Sequence, residues 1–128
     1  MPVPSPPPLR RPPSPQRGDI YWVDFDPARG SEQAGHRPAV VISLDSFNSR
    51  MPTVTVAAMT TRVRETSPIT VTLQAGDPLP DAGDILGFQV MTIDQSRLER
   101  FAGRLRPPQM AELNTVLARS FGLLGELG

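Results

Sequence analysis

The chain contains no cysteine, no lysine and a single histidine, and each scarcity removes a class of chemistry. Without thiols there is no disulfide framework, no thiolate nucleophile and no cysteine-ligated metal. One histidine does not build a histidine metal site, so neither a metal nor any other cofactor is expected. No apolar run approaches the roughly 18 residues of a membrane span. Prolines interrupt the N-terminus where a signal peptide needs a continuous apolar segment. A soluble, cytoplasmic protein with no membrane contact is therefore expected. In place of lysine stand thirteen arginines, balanced by thirteen acids. Residues 17–128 hold eleven of those arginines and all thirteen acids, which leaves this part slightly acidic. It lacks the broad positive field of a protein that tracks long nucleic acid. Any contact with RNA or DNA must then be made by local arginines over a short footprint.

What is present divides into a tail and one domain. Residues 1–16 (MPVPSPPPLRRPPSPQ) carry eight prolines. Proline fixes φ and removes an amide donor, so a disordered or polyproline II tail is expected there. Residues 17–128 are enough for one domain with one modest core. From Asp19 to Phe25 the residues alternate, with Tyr21, Val23 and Phe25 on one face and Ile20, Trp22 and Asp24 on the other, which reads as a strand. A polar loop follows, and Arg37-Pro38 opens a second run, Ala39 to Leu44, apolar on both faces like a central strand. Asp45 to Pro52 reads as a turn-rich connection. Thr53 to Thr60 alternates again, and a polar loop from Thr61 to Ser67 leads to a strand over Pro68 to Leu73. After a Gly-, Asp- and Pro-rich loop, Asp84 to Asp94 predicts a bent strand or strand pair with Gly87 as a bulge. Leu98 to Leu105 adds an edge strand. Met110, Leu113, Leu117, Phe121 and Leu124, with Val116 alongside, fall three to four apart and predict a C-terminal helix. The expected fold class is mainly β with a C-terminal helix, a small and strongly curved barrel.

The polar side chains suggest where chemistry sits. The stretch from Asp24 to Pro38 is too polar to be core, and loops held by a rigid scaffold are where functional residues concentrate. Arg37 stands at its exit, His36 precedes it, and Glu32 and Gln33 lie on the loop. If the second and third strands are antiparallel neighbours, Arg37 approaches Thr60, with Thr61 and Arg62 just beyond. A guanidinium, a hydroxyl and a carboxylate over a groove suit phosphoryl transfer without a metal. RNA supplies its own nucleophile, the 2′-hydroxyl. Cleavage then needs a base, an acid for the 5′-oxygen and donors for the extra phosphate charge. Arginine's planar fork holds two phosphate oxygens at once. Trp22 and Phe25 either stack on unpaired bases or pack in the core.

The run Gly18-Asp19-Ile20-Tyr21-Trp22-Val23-Asp24-Phe25-Asp26-Pro27, followed by Gly30-Ser31-Glu32-Gln33-Ala34-Gly35-His36-Arg37-Pro38, resembles the N-terminal signature of the MazF/PemK toxins. The likeness continues through Ala39 to Ser43, Ala57 to Thr61 and Thr92-Ile93-Asp94. It implies an SH3-like barrel with a C-terminal helix, assembled as a homodimer. It also implies a metal-independent endoribonuclease acting on single-stranded mRNA at short motifs and leaving a 2′,3′-cyclic phosphate and a 5′-hydroxyl. The implied partner is a cognate antitoxin whose disordered tail covers the RNA groove, and DNA is met only through the toxin–antitoxin complex. By the same resemblance Arg37, Thr60 and Glu32 form the catalytic set. The residues taken to contact RNA are Ser31, Gln33, His36, Trp22, Phe25, Thr61, Arg62 and Gln89.

One stretch departs from the pattern. Many relatives carry an Asp-Gln pair with a basic residue two positions later, just before Thr-Ile-Asp. Here the acid is replaced by Phe88 and the base by Met91, around Gln89 and Val90. Two other readings therefore stay open. One is a non-catalytic toxin of the same fold that poisons DNA gyrase, and the other is a binding module without activity.

Overall fold

The computed structural model describes residues 14–27, 29–30, 35–61 and 67–125. Six strands form one antiparallel sheet: β1 (Asp19–Asp24), β2 (His36–Val41), β3 (Thr53–Thr60), β4 (Thr70–Leu73), β5 (Gly83–Asp94) and β6 (Leu98–Arg104). Their spatial order is β4-β5-β3-β2-β1-β6, so β2 and β3 are central, as the two-faced apolar run after Arg37 predicts. The mainly β architecture with a C-terminal helix is as expected. The sheet is nevertheless open, because its edges β4 and β6 do not pair. The loop before β5 lies against β6 instead. A Cβ added at Gly103 would come within 3.2 Å of Pro78.

The alternation along the strands sorts two clusters of core side chains. Ile20, Val40, Ala57, Met59 and Ile85 pack with Leu113 and Val116 of the helix α2 (Pro107–Ser120). Val23, Phe25, Ala39, Val41, Val56 and Ala58 belong to the other cluster. β5 is one bent strand. Against β3 its register jumps between the pairs Ala57↔Val90 and Met59↔Ile85, a bulge that contains Gly87. Glycine is needed here for space. A Cβ at Gly87 would lie 2.5 Å from Val116 Cγ1 and 3.0 Å from the Ile69 carbonyl oxygen.

Three expectations are corrected. Asp45–Arg50 is a short helix, α1, rather than a turn-rich connection. Six residues show no period, and the helix is held by tertiary bonds. Buried Asn48 donates to the carbonyls of Pro15 (3.0 Å) and Ser43 (3.1 Å), while Gln95 donates to the Asn48 carbonyl at 2.8 Å. Phe121 and Leu124 lie past the end of α2 and are exposed; the buried positions of that helix are Gln109, Leu113 and Val116. Finally, the residues next to β1 do not behave as tail. Pro15 is buried, and the Gln16 amide donates to Asp19 Oδ2 at 2.8 Å. The rest of the proline-rich segment, residues 1–13, lies outside the described residues. Among the described residues no helix is long and apolar enough to cross a membrane.

Candidate active site

The β2–β3 ladder pairs Ala39 with Ala58, Val40 with Ala57 and Val41 with Val56. Continued by two residues, that register sets Arg37 opposite Thr60. β1 places Val23 on the other side of Arg37, and β5 places Asp84 on the other side of Thr60. Thr72 of β4 stands opposite Asp84. Side chains that are directly opposite in a ladder project from the same face of the sheet. The topology therefore lines up Val23, Arg37, Thr60, Asp84 and Thr72 across five strands. Thr60 is 9% exposed and Asp84 is 0% exposed. Thr72 donates its hydroxyl to Asp84 Oδ1 at 2.6 Å. The backbone is close-packed at this point, since a Cβ on Gly83 would stand 2.6 Å from the Thr60 carbonyl oxygen.

Beside this row lies a cavity of about 320 Å³, with Trp22, Pro38, Thr60, Thr61, Arg100 and Phe101 on its wall. The Arg100 guanidinium carbon sits 5.8 Å from the centre of the Trp22 ring, within range of a cation–π contact. Thr61 is exposed, and Trp22 is half-buried. Arg37 is not on the cavity wall, but its neighbour Pro38 is, as the alternation of β2 requires. The phosphate-suited pair and the apolar cavity meet at Thr60.

His36, at the start of β2, is exposed, and its Nδ1 lies 2.5 Å from Glu99 Oε1. That hydrogen bond and the Glu99 charge raise the imidazole above its ordinary pKa, with smaller contributions from Asp24 and Asp26. The shift favours the protonated imidazole, a hydrogen-bond donor, over the neutral form that can take up a proton.

The remaining expected residues fall into three groups. Phe25 is 1% exposed inside the second cluster, so its ring packs in the core and offers no face to a base. Gln89 is half-buried in the bulge of β5 and does not line the cavity. Ser31, Glu32, Gln33 and Arg62 lie outside the described residues. Sequence reasoning missed Arg100, Phe101 and Asp84. The first two come from an edge strand that sits beside β1 only after folding. Asp84 was legible as one acid ahead of Ile85 and Leu86, where it reads as a strand boundary.

Comparison with known proteins adds three findings. The family model described as PemK-like, MazF-like toxin of type II toxin–antitoxin system matches residues 16–121. The chain is 36% identical over 110 residues to Endoribonuclease MazF of Staphylococcus saprophyticus, covering 84% of this chain and 92% of that protein. Among solved structures it is similar to MazF from Deinococcus radiodurans, with a TM-score of 0.75, 28% identity and 85% and 97% of the two chains covered. It is also similar to a mycobacterial endoribonuclease solved in complex with its cognate antitoxin, with a TM-score of 0.74, 27% identity and 86% and 97% of the two chains covered.

Proposed function

The chain belongs to the PemK-like, MazF-like toxins of type II toxin–antitoxin systems, and from that premise we propose that it cleaves single-stranded RNA at the Arg37–Thr60 end of the sheet. It is an endoribonuclease toxin. The observation that carries this reading is the β2–β3 register, which, continued by two residues, brings Arg37 opposite Thr60, itself on the wall of the aromatic-lined cavity. The 2′-hydroxyl attacks the adjacent phosphorus and the bond to the 5′-oxygen breaks. A 2′,3′-cyclic phosphate and a 5′-hydroxyl result, the departing 5′-oxygen taking its proton from water. Arg37 holds the non-bridging oxygens as negative charge grows on them, where a fixed donor stabilises the transition state more than the ground state. Thr60 supports Arg37 from the next strand. Glu32, on the loop that precedes His36, takes the proton from the 2′-hydroxyl.

Around this centre the RNA runs over the end of the sheet. A base enters the cavity against Trp22 and Thr61, His36 meets a phosphate, and Ser31, Gln33, Arg62 and Gln89 complete the contact with the strand. The catalytic unit spans residues 17–128, with the proline-rich segment 1–16 outside it, and two copies form a homodimer in the cytoplasm. A cognate antitoxin neutralises it by covering the same groove. The antitoxin is supported by the similar solved structures, which include a mycobacterial endoribonuclease in complex with its cognate antitoxin and MazE-MazF from Deinococcus radiodurans. The gyrase-poisoning alternative is not favoured, because the relatives matched over most of the chain are named endoribonucleases.

The test is incubation of a long unstructured RNA with the purified protein in EDTA, beside an Arg37→Ala variant. Discrete fragments from the wild type alone are expected. Intact RNA in both lanes would sink the reading. Glu32→Ala separates chemistry from binding, since a base lowers kcat more than it weakens RNA affinity. Equal loss of both would reduce Glu32 to a substrate contact.

A further inference from the structure

We propose that Asp84 is a positioning residue of this active site, acting through Thr60 on Arg37. The inference rests on the ribonuclease reading above and concerns a residue that the resemblance does not include. Asp84 is an acid with 0% exposure in the first half of β5, and a buried carboxylate is costly unless charge or hydrogen bonds compensate it. The ladder surrounds it symmetrically. Thr72 stands opposite on one side and already donates to Oδ1 at 2.6 Å, while Thr60 stands opposite on the other. Beyond Thr60 in the same row comes Arg37, which is the base of the row as Asp84 is its acid.

Thr60, Asp84 and Arg37 all take part in interactions within the fold. An ionised carboxylate only accepts hydrogen bonds, so between Thr60 and Asp84 the hydroxyl must donate. Donation in that direction turns the lone pairs of Thr60 Oγ1 away from Asp84 and toward β2. There they receive one N–H of the Arg37 fork, which sets the plane that the guanidinium presents to a phosphate. Adjacent strands are about 4.8 Å apart, so Arg37 and Asp84 are separated by about 10 Å of backbone. One threonine side chain between them closes that gap. Asp84 thus fixes the hydroxyl rotor that fixes the guanidinium, and its charge balances the arginine when no RNA is bound. No proton leaves Asp84 and no bond is made to it.

The test measures kcat, KM and thermal melting of the full chain on unstructured RNA, for Asp84→Asn and Thr72→Val beside wild type and Arg37→Ala. The amide of Asp84→Asn keeps the shape but loses the charge and one acceptor. The expected result is a kcat lowered on the order of 10- to 100-fold with KM unchanged, because a clamp misplaced by about 1 Å loses that much. Thr72→Val, which removes one of the two flanking hydroxyls, lowers kcat by a smaller factor and also leaves KM alone. A folded Asp84→Asn that turns over like wild type well below its melting temperature overturns the proposal. If Asp84→Asn does not fold, Thr72→Val decides, and a wild-type kcat in that variant overturns it equally. The two failures are distinguishable. Intact RNA with wild-type protein refutes the ribonuclease reading and this inference with it, whereas cleavage by wild type and Asp84→Asn alike refutes the inference alone.

Discussion

Two rows of the same sheet, three residues apart on β1 and β2, are built on opposite principles. In one, Ile20, Val40, Ala57 and Val90 stand opposite each other across β1, β2, β3 and β5. In the other, the same strands present Val23, Arg37, Thr60 and Asp84. Val23↔Arg37 and Thr60↔Asp84 are ladder partners as Ile20↔Val40 and Ala57↔Val90 are, and the two rows differ in their side chains. The first row is held by apolar burial against α2, which is strong and indifferent to direction. The second contains an acid and a base that must compensate each other in defined geometry. The apolar row contributes stability and the polar row contributes function, and the ladder fixes one relative to the other.

Several substitutions sharpen or break that division. The largest effect is expected from Arg37→Ala, which should reduce RNA cleavage about 10²- to 10³-fold, as removal of a transition-state donor does. Its melting temperature should also fall, because Asp84 loses the charge that balances it, but by less than truncation of the apolar core costs. A comparable loss of stability would show that the polar row also holds the fold. Next comes Ile20→Ala, at a fully buried position of the apolar row, expected to cost about 2–5 kcal/mol in urea unfolding. Cleavage per folded molecule should survive it, and a fall in kcat well below the unfolding midpoint would couple the rows. Gly87→Ala, forced against Val116 and Ile69, should cost about 1–3 kcal/mol by overpacking, read as a lowered midpoint with activity retained.

The smallest effect concerns His36, beside the polar row. Glu99 raises its pKa in the folded state above the ordinary value near 6.5, so the pairing contributes stability fully below that pH. The contribution fades as pH rises through the raised value. Melting curves of Glu99→Gln against wild type should therefore differ most between about pH 5 and 6.5 and converge in alkali. A gap that widens with pH would show that the pair does not hold its proton this way.

Much of the fold was legible because strand alternation is a local signal. Thr53–Thr60 is the strand that its period predicts, and Val54, Val56 and Ala58 share a face as expected. The antiparallel β2–β3 pairing was legible as well, and it is what the expected approach of Arg37 to Thr60 depends on. α1 escaped because its support comes from Pro15 and Gln95, far away along the chain. Phe25 shows the limit of residue-type arguments. An aromatic near a functional loop suits base stacking, and only its burial shows that it belongs to the core. Phe88, in place of the family's acid, is exposed on β5, and it shares a shallow cleft with Phe121.

The amino-acid sequence alone determined the family, the strand order along the chain, the helical end and the antiparallel pairing of β2 with β3. Each of these depends on period, on turn residues or on a motif read within a few dozen positions. Tertiary structure decided that the sheet stays open, that Trp22 and Arg100 stand side by side on the wall of a cavity, and that Asp84 lies buried between two threonines. Those facts depend on which strands become neighbours, and that follows from burying both apolar clusters at once rather than from any local segment.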